Sequence, residues 1–512
     1  MLGIVEDFMK KILLIVPLLL GLVSFQNSSD NLYDNYILTI NEKSSLKNFN
    51  KLSNVLRDNE IDCSKLEQLG SSKSCFYLLP IDKKHEEIYL KKLSLINNIQ
   101  FIERDKKIKL NFGDDINIGE KVIKKENDIE VYSRNYEIVK TREADALFGN
   151  STKINVAVID TGINANNIFL EGKVDLNASK SFDPDNSALN GYSDHGTSIA
   201  YILTGYQKNN PFPNGVYQNI NLISISIPED CSISTFVRAM SYISSLDNVP
   251  LVNFSFSLGG DNSQSLKQSI ANYQGLFICA AANDGFYLDE NYCYPAKYSL
   301  DNMIVVGDSN NDDSRASISN YSKNLVDIFG PGQSVWGATR NGGFKVVEGT
   351  SYSTPLVTAA SAMILSKIGD MSPTQLKNRI MTFADKIDGL KEYCVDGNRL
   401  NIYKSVHTNR HSHLSYEYID SKKHFEVCGL CHDKEKCGHV VSGGAFEGGR
   451  RYANCLLCGG LAEICFVSYG RDLSYVKEHY TFKNGLYYPK KTETIGGILD
   501  LSYEDSLKYE KK

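Results

Sequence analysis

The sequence predicts an α/β protein: a parallel sheet covered by helices on both faces, with a small α+β domain before it and a small Cys-rich β module after it. Three observations predict this. From Ile154 onward, apolar runs ("INVAVID", "NLISISI", "LVNFSFS", "LFICAAA", "MIVVG") alternate with helix-like segments such as 234–246 and 265–274. A strand buried on both faces shows no polar alternation, and parallel strands need helical crossovers, so the alternation reads as a doubly covered parallel sheet. Residues 35–112 instead mix short strand-like runs with amphipathic stripes, and six of the twelve cysteines crowd between positions 428 and 465.

The elements follow in order. Residues 1–29 carry Met9, a second candidate start, then Lys10, Lys11 and an apolar run over 12–25. That layout is an export signal, too short and too broken by Pro17 for a membrane span. The chain is therefore expected to be secreted or held at the cell surface. Within 30–112, "YILTI" and "CFYLLPI" read as strands and "IQFIERDKKIKL" as a closing strand. Leu46, Phe49, Leu52, Val55 and Leu56 stripe one helix; Ile88, Leu90, Leu93 and Ile96 stripe a second. This is a split βαβ, ferredoxin-like pattern. A charged stretch over 113–133 is a linker, 134–406 is the parallel-sheet domain, and 407–512 is the Cys/His-rich module. The net charge of −6, with no basic run interleaved with aromatics, excludes nucleic acid as the default partner.

Polar residues gather where ligands of such sheets sit, beyond the carboxyl ends of strands. Asp160 ends "NVAVID", His195 opens a helix in "DHGTSIAYIL", and Asn283 follows "FICAAA". Each alone reads as a turn, a cap or a structural histidine. A fourth stretch, "EGTSYSTPLVTAA" (348–360), supplies Thr350, Ser351, Ser353 and Thr354 ahead of a small-residue helix. Carboxylate, imidazole, amide and hydroxyl in that order are what a nucleophile with its base and oxyanion donor requires.

At this point the chain resembles the subtilisin-like serine proteases. "VIDTGI" (158–163), "DHGTSIA" (194–200), "AAANDG" (280–285) and "GTSYSTP" (349–355) are similar to that family's Asp, His, oxyanion-Asn and Ser motifs, in its own order. The resemblance covers about 134–406 and implies a subtilisin-like sheet. It also implies an endopeptidase acting on polypeptide substrates without a catalytic cofactor, with Ser351 as nucleophile, His195 as base, Asp160 as its orienter and Asn283 at the oxyanion. "FSLGG" resembles the family's substrate-binding strand, which points to Ser257, Leu258 and Gly259; "GNRLNIYKSV" resembles its closing turn and helix. Domain 30–112 resembles the family's inhibitory propeptide, to be cut from the enzyme within the linker before Arg134. The sequence departs from the pattern at Ser198, Tyr352 and Leu356, none of them a catalytic position. "YQKNNPFPNGVYQ" stands where many members bind calcium but has no carboxylate, so calcium is left unassigned. Cys293 falls at the base of the P1 pocket, which would favour small or medium uncharged side chains; a buried structural thiol is the alternative. Two other functions remain open: a processing protease dedicated to one exported partner, and an inert protease-fold surface binding protein.

In the last segment, Cys428-x-x-Cys431 and Cys455-x-x-Cys458 have the spacing of a zinc ribbon and are expected to hold one structural zinc, with disulfides as the competing reading. Attachment to the cell surface is the expected role of that module.

Overall fold

The computed structural model describes residues 32–110, 134–145, 151–206, 213–260 and 262–406, together with the backbone of eight strands between 414 and 489. The chain divides into two compact units, Met1–Val406 and His407–Lys512. The expected export signal, the linker and residues 207–212 of the calcium-loop segment lie outside the described residues, as do Cys431, Cys455 and Cys458. Among the described residues, no helix is long and apolar enough to cross a membrane.

The first unit begins with β1 (Tyr33–Ile40), α1 (Phe49–Asp58), β2 (Glu67–Gln68), β3 (Phe76–Asp82), α2 (Glu86–Ser94) and β4 (Ile99–Arg104). The antiparallel sheet runs β2-β3-β1-β4, the strand order of a split βαβ. Its core takes Ile37, Leu38, Leu52, Leu56, Tyr77 and Leu79 from the strands and the stripe of α1, all fully buried. Ile88 of the second stripe is instead exposed at 56%, while Leu93 carries the contact of α2.

The run 99–110 differs from the single strand its pattern suggests. It breaks after Arg104, and β5 (Lys107–Lys109) leaves the sheet to pair antiparallel with β9 (Asp230–Ser232). The break falls where Asp105 is needed elsewhere. Its carboxylate accepts from the Ser234 N–H (2.8 Å) and hydroxyl (2.7 Å), at the start of α5 (Ile233–Ile243). Glu103 acts likewise at α6 (Gln264–Ala271), accepting from the Ser263 hydroxyl (2.7 Å) and the Gln264 and Ser265 N–H groups (3.0 Å each). Helix N-termini present unpaired N–H groups and positive dipole, so the two carboxylates fasten the N-terminal domain to the larger one.

The nine-stranded sheet runs β16-β17-β13-β12-β11-β10-β6-β8-β7. Its members are β6 (Ile154–Asp160), β7 (Lys180–Ser181), β8 (Ile220–Ser226), β10 (Leu251–Phe254), β11 (Leu276–Ala280), β12 (Met303–Asp308), β13 (Ile328–Gly330), β16 (Asp385–Lys386) and β17 (Asn398–Arg399). Every pairing is parallel except β16 with β17. Strand order reverses between β10 and β6, so the crevice of this sheet opens at the ends of those two strands. A hairpin, β14 (Val335–Ala338) with β15 (Phe344–Val347), leads into α7 (Thr350–Ile368), and α9 (Ile402–Val406) closes the unit.

Helix α7 is buried along its whole length from Thr350 to Leu365, which its Ala and Ser/Thr content permits. Pro355 lies one turn inside this helix rather than in its first turn. A proline lacks the N–H that would bond the carbonyl four residues back. That carbonyl is Ser351's, and it accepts instead from the Ser255 hydroxyl at 2.9 Å.

The second unit is wholly β where described. Strands β18 (Leu414–Tyr418), β19 (Lys423–Cys428) and β20 (Lys434–Gly438) form one antiparallel sheet. Strands β21 (Ala445–Glu447), β22 (Arg450–Asn454) and β23 (Leu461–Ile464) form another, and β24 (Tyr480–Lys483) pairs with β25 (Leu486–Pro489). Cys428 ends β19; the side chains of the expected zinc set lie outside the described residues.

Candidate active site

Asp160 is the last residue of β6, and His195 is the first of α4 (His195–Thr204). The strand brings the carboxylate to the sheet's edge and the helix start turns the imidazole onto it. Nδ1 of His195 stands 2.9 Å from Oδ1 and 3.0 Å from Oδ2 of Asp160. Both side chains are buried, at 2% and 0% exposure, so water does not dilute the interaction. The Thr161 N–H (2.7 Å) and hydroxyl (3.2 Å) also donate to Oδ1. Close approach of the helix requires Gly196, where a Cβ would stand 2.3 Å from the Gly162 carbonyl oxygen. The Asp carboxylate accepts from Nδ1, which leaves Nε2 as the imidazole's basic atom when the ring is neutral.

Ser351 is the second residue of α7 and is buried at 3% exposure. Its hydroxyl donates to the Ser255 carbonyl at 2.7 Å, while the Ser255 hydroxyl donates to the Ser351 carbonyl at 2.9 Å. The helix therefore docks on the residue that follows β10. The neighbouring hydroxyls are otherwise engaged. Thr354 donates to the Thr350 carbonyl (2.7 Å), and Ser353 is within bonding distance of the Gly330 carbonyl (2.9 Å) and Asp308 (3.1 Å). Tyr352 packs beside the imidazole, ring centroids 5.6 Å apart and inclined by 51°.

Asn283 sits on the turn after β11, behind Ala282, whose φ of 74° is left-handed. Such a conformation costs a non-glycine residue about 1–2 kcal/mol and marks a backbone fixed by its surroundings. The Asn283 Oδ1 accepts from both the N–H and the hydroxyl of Thr350, each at 2.9 Å. Because a backbone N–H can only donate, the amide orientation is fixed, and its NH₂ is the end left to donate. Gly349 fits the gap below it: its φ is 127°, and a Cβ there would meet Nδ2 at 2.9 Å.

The segment 257–259 is irregular, not a free strand. The Leu258 N–H donates to the Tyr294 carbonyl (2.8 Å), and the Tyr294 N–H donates to the Gly259 carbonyl (3.0 Å). Cys293 lies beside this segment, its thiol 3.7 Å from the Ala281 carbonyl, and burial pushes that thiol up to about 12. Ser198, one of the departures, donates to the Ala338 carbonyl at 2.9 Å and so joins α4 to β14.

The model of the subtilase family matches residues 151–411, just over half the chain and all four motif positions. The chain belongs to the subtilase family. Thermitase from Thermoactinomyces vulgaris is 29% identical over 286 residues, covering 55% of this chain and 98% of thermitase. Subtilisin DY from Bacillus licheniformis is 31% identical over 257 residues, covering 49% of this chain and 90% of that protein. The solved structure of the epidermin leader peptide processing serine protease from Staphylococcus aureus superposes with a TM-score of 0.58. Its identity is 16%, with 74% of this chain and 99% of that chain covered, a likeness of fold. As a subtilase the chain is a serine protease, and subtilase chemistry uses no cofactor. Among the described residues, no group of three or more Asp, Glu, His or Cys is gathered to hold a metal ion.

Sequence reasoning missed two groups of functional interest here. Glu103 and Asp105 lay inside a strand-like run, with nothing to announce that they cap helices more than a hundred residues away. Asp308 ends "MIVVGD" as Asp160 ends "NVAVID", so the same signal was present and went unused.

Proposed function

We propose that the chain hydrolyses peptide bonds through an acyl-enzyme intermediate on Ser351. The observation that carries this reading is the buried contact between Asp160 and the Nδ1 of His195 at 2.9 Å. It directs Nε2 toward the work of a base. On this reading the Ser351 hydroxyl exchanges the Ser255 carbonyl for Nε2 when substrate binds. The imidazole then accepts the proton as Oγ attacks the substrate carbonyl, and Asp160 stabilises the imidazolium. The Asn283 NH₂ and the Ser351 N–H, at the positive end of α7, donate to the tetrahedral oxyanion. His195 returns the proton to the leaving amine. Water, deprotonated by the same Nε2, then releases the acyl group.

The substrate would lie extended between the β9 edge and the Ser257 and Gly259 backbone groups, with Leu258 between them, a largely sequence-blind mode. Cys293 would narrow the pocket beyond and favour small or medium uncharged side chains. Domain 30–112 would be the enzyme's own inhibitor. Strand β5 lies on β9 with Ile108 and Leu110 buried, and the Leu110 N–H donates to the Glu229 carbonyl at 2.9 Å. The direction of β5 along β9 runs toward Ile227, whose N–H bonds the Asp160 carbonyl at 3.1 Å. Self-cleavage would fall in the linker beyond Leu110. Export by residues 1–29, structural zinc on Cys428, Cys431, Cys455 and Cys458, and surface attachment by 407–512 belong to the same reading.

A fluorophosphonate probe tests it. The secreted protein should label and cleave peptides, and Ser351→Ala should abolish both and accumulate uncut between 111 and 134. Labelling of the Ser351→Ala protein would refute the nucleophile. The purified 30–112 segment should inhibit the mature enzyme; absence of inhibition would make it an accessory domain. A second reading is favoured by the likeness to the leader-peptide-processing protease, which extends over 74% of this chain. On that reading the enzyme acts on one exported partner, and it would leave a mixed peptide library largely uncut.

A further inference from the structure

We propose that Asp308 is a positioning residue for the nucleophile: its buried carboxylate holds the turn 330–333 and the first turn of α7 in the register that presents Ser351. The inference rests on the reading of Ser351 as nucleophile.

Asp308 is the last residue of β12 and is 0% exposed. One carboxylate oxygen accepts from the Gly332 N–H at 2.8 Å and from the Ser353 hydroxyl at 3.1 Å; the other accepts from the Gln333 side-chain amide. All three donors are neutral. No ion pair reaches this carboxylate among the described residues, although a buried anion without a cation is costly. Neither is it surplus to packing, because both of its oxygens are used.

Those bonds lead to Ser351 by a short path. The Gly332 carbonyl accepts from the Gly349 N–H at 3.1 Å, and the Gly349 carbonyl accepts from the Tyr352 N–H at 2.9 Å and the Ser353 N–H at 3.3 Å. Gly349 therefore caps the helix whose second residue is Ser351. The clamp leaves no slack: a Cβ on Gly332 would lie 2.3 Å from the Ser353 Oγ, 2.6 Å from the Gly349 carbonyl oxygen and 2.8 Å from the Asp308 Oδ1. Asn135 secures the far side of the turn, donating to the Pro331 (2.9 Å) and Gln333 (2.8 Å) carbonyls. Asn283 holds the nucleophile turn from one side through Thr350, and Asp308 holds it from the other through Gly332 and Ser353.

The ionised form suits this task, since three donors converge on it. Protonation puts an O–H against one of them. Burial pushes this carboxyl up to about 7, against the pull of the Gln333, Gly332 and Ser353 donors, and the negative Glu348 pushes the same way. The α7 turn, the 330–333 turn and the 316–319 loop otherwise face Asp308 with neutral groups: Ser353, Gly332, Gln333, and Ser319, whose hydroxyl accepts from the Asp308 N–H. Turnover should therefore decline as Asp308 takes up its proton.

The experiment compares wild type, Asp308→Ala and Asp308→Asn as processed enzymes, with rates expressed per fluorophosphonate-labelled site. Asp308→Ala should lower kcat by about tenfold to a hundredfold, the cost of a misplaced reacting group. KM should stay within about twofold. Asp308→Asn keeps an acceptor for Gly332 and Ser353 but, like the protonated acid, sets a donor against Gln333. Its kcat should fall about threefold to tenfold below wild type at pH 8, and that gap should close as the pH falls below about 7 and wild type takes up the same proton. Unchanged kcat in Asp308→Ala, or a wild-type to Asp308→Asn ratio that does not change with pH, would overturn the proposal. Should Asp308→Ala not fold, the pH dependence of that ratio decides alone. Failure of the underlying reading shows separately, as a Ser351→Ala protein that still labels.

Discussion

Asp160 and Asp308 occupy equivalent places and do different work. Each ends a parallel strand of one sheet, β6 and β12, and each is wholly buried. Asp160 faces an imidazole that can take up positive charge during the reaction. Asp308 faces amides and a hydroxyl that cannot. The first anion gains a counter-charge when the mechanism needs one; the second is sustained by hydrogen bonds alone, and burial pushes its carboxyl up to about 7. A strand-end carboxylate therefore has no role of its own. The elements that cross in front of it decide, here α4 in one case and the 330–333 turn with α7 in the other.

The widest separation between the two should come from Asp160→Asn. Loss of the group that fixes the His195 tautomer is expected to lower kcat by about four powers of ten with substrate binding little changed, as measured by steady-state kinetics. A loss below tenfold would erase the distinction from Asp308. Next is Asn283→Ala, which acts on the same nucleophile turn from the opposite side. It should lower kcat by roughly two to three powers of ten, because an oxyanion donor is removed; an effect no larger than that of Asp308→Ala would reassign Asn283 to positioning.

Ser353→Ala probes the Asp308 side more gently. Most activity and labelling should survive, whereas denaturant unfolding should show a loss of about 1–2 kcal/mol as the carboxylate gives up one of its donors. Beyond activity, stability should carry a pH slope. A carboxyl raised from its ordinary value to about 7 binds its proton more tightly in the folded state. Its contribution is therefore fully present below the unfolded carboxylate range and is lost as pH rises toward about 7. The difference in unfolding free energy between wild type and Asp308→Asn should fall over that window; a flat difference would mean that this carboxyl titrates normally.

Much of this was legible in the sequence, for identifiable reasons. Unbroken apolar runs marked β6, β8, β10, β11 and β12 because strands buried on both faces leave no other pattern. The four motif residues were legible because each lies next to its own punctuation, Thr161-Gly162, Gly196, Gly285 and Gly349. Asp308 was not, because its partners come from 332–333 and 353, far along the chain, and nothing local distinguishes it from an ordinary turn carboxylate. The break at Asp105 was hidden for the same reason: the alternation of 99–110 continues through it while the pairing partner changes from β1 to β9. The sequence likewise does not show how Pro355 sits inside α7, because the hydroxyl that takes up the freed Ser351 carbonyl comes from Ser255, just after β10.

The cysteines of the first unit carry a practical consequence. All six cysteines of the first unit are free thiols, and five of them are buried. Burial pushes Cys231, Cys293 and Cys394 up to about 12, so the reactive thiolate is scarce and sheltered at once. Reductant should leave this unit's fold untouched, and alkylating reagents should find these sulfurs only when the chain opens. The protein thus carries its own clock for unfolding: the rate at which buried thiols become alkylated counts opening events, core by core, without any label having been introduced.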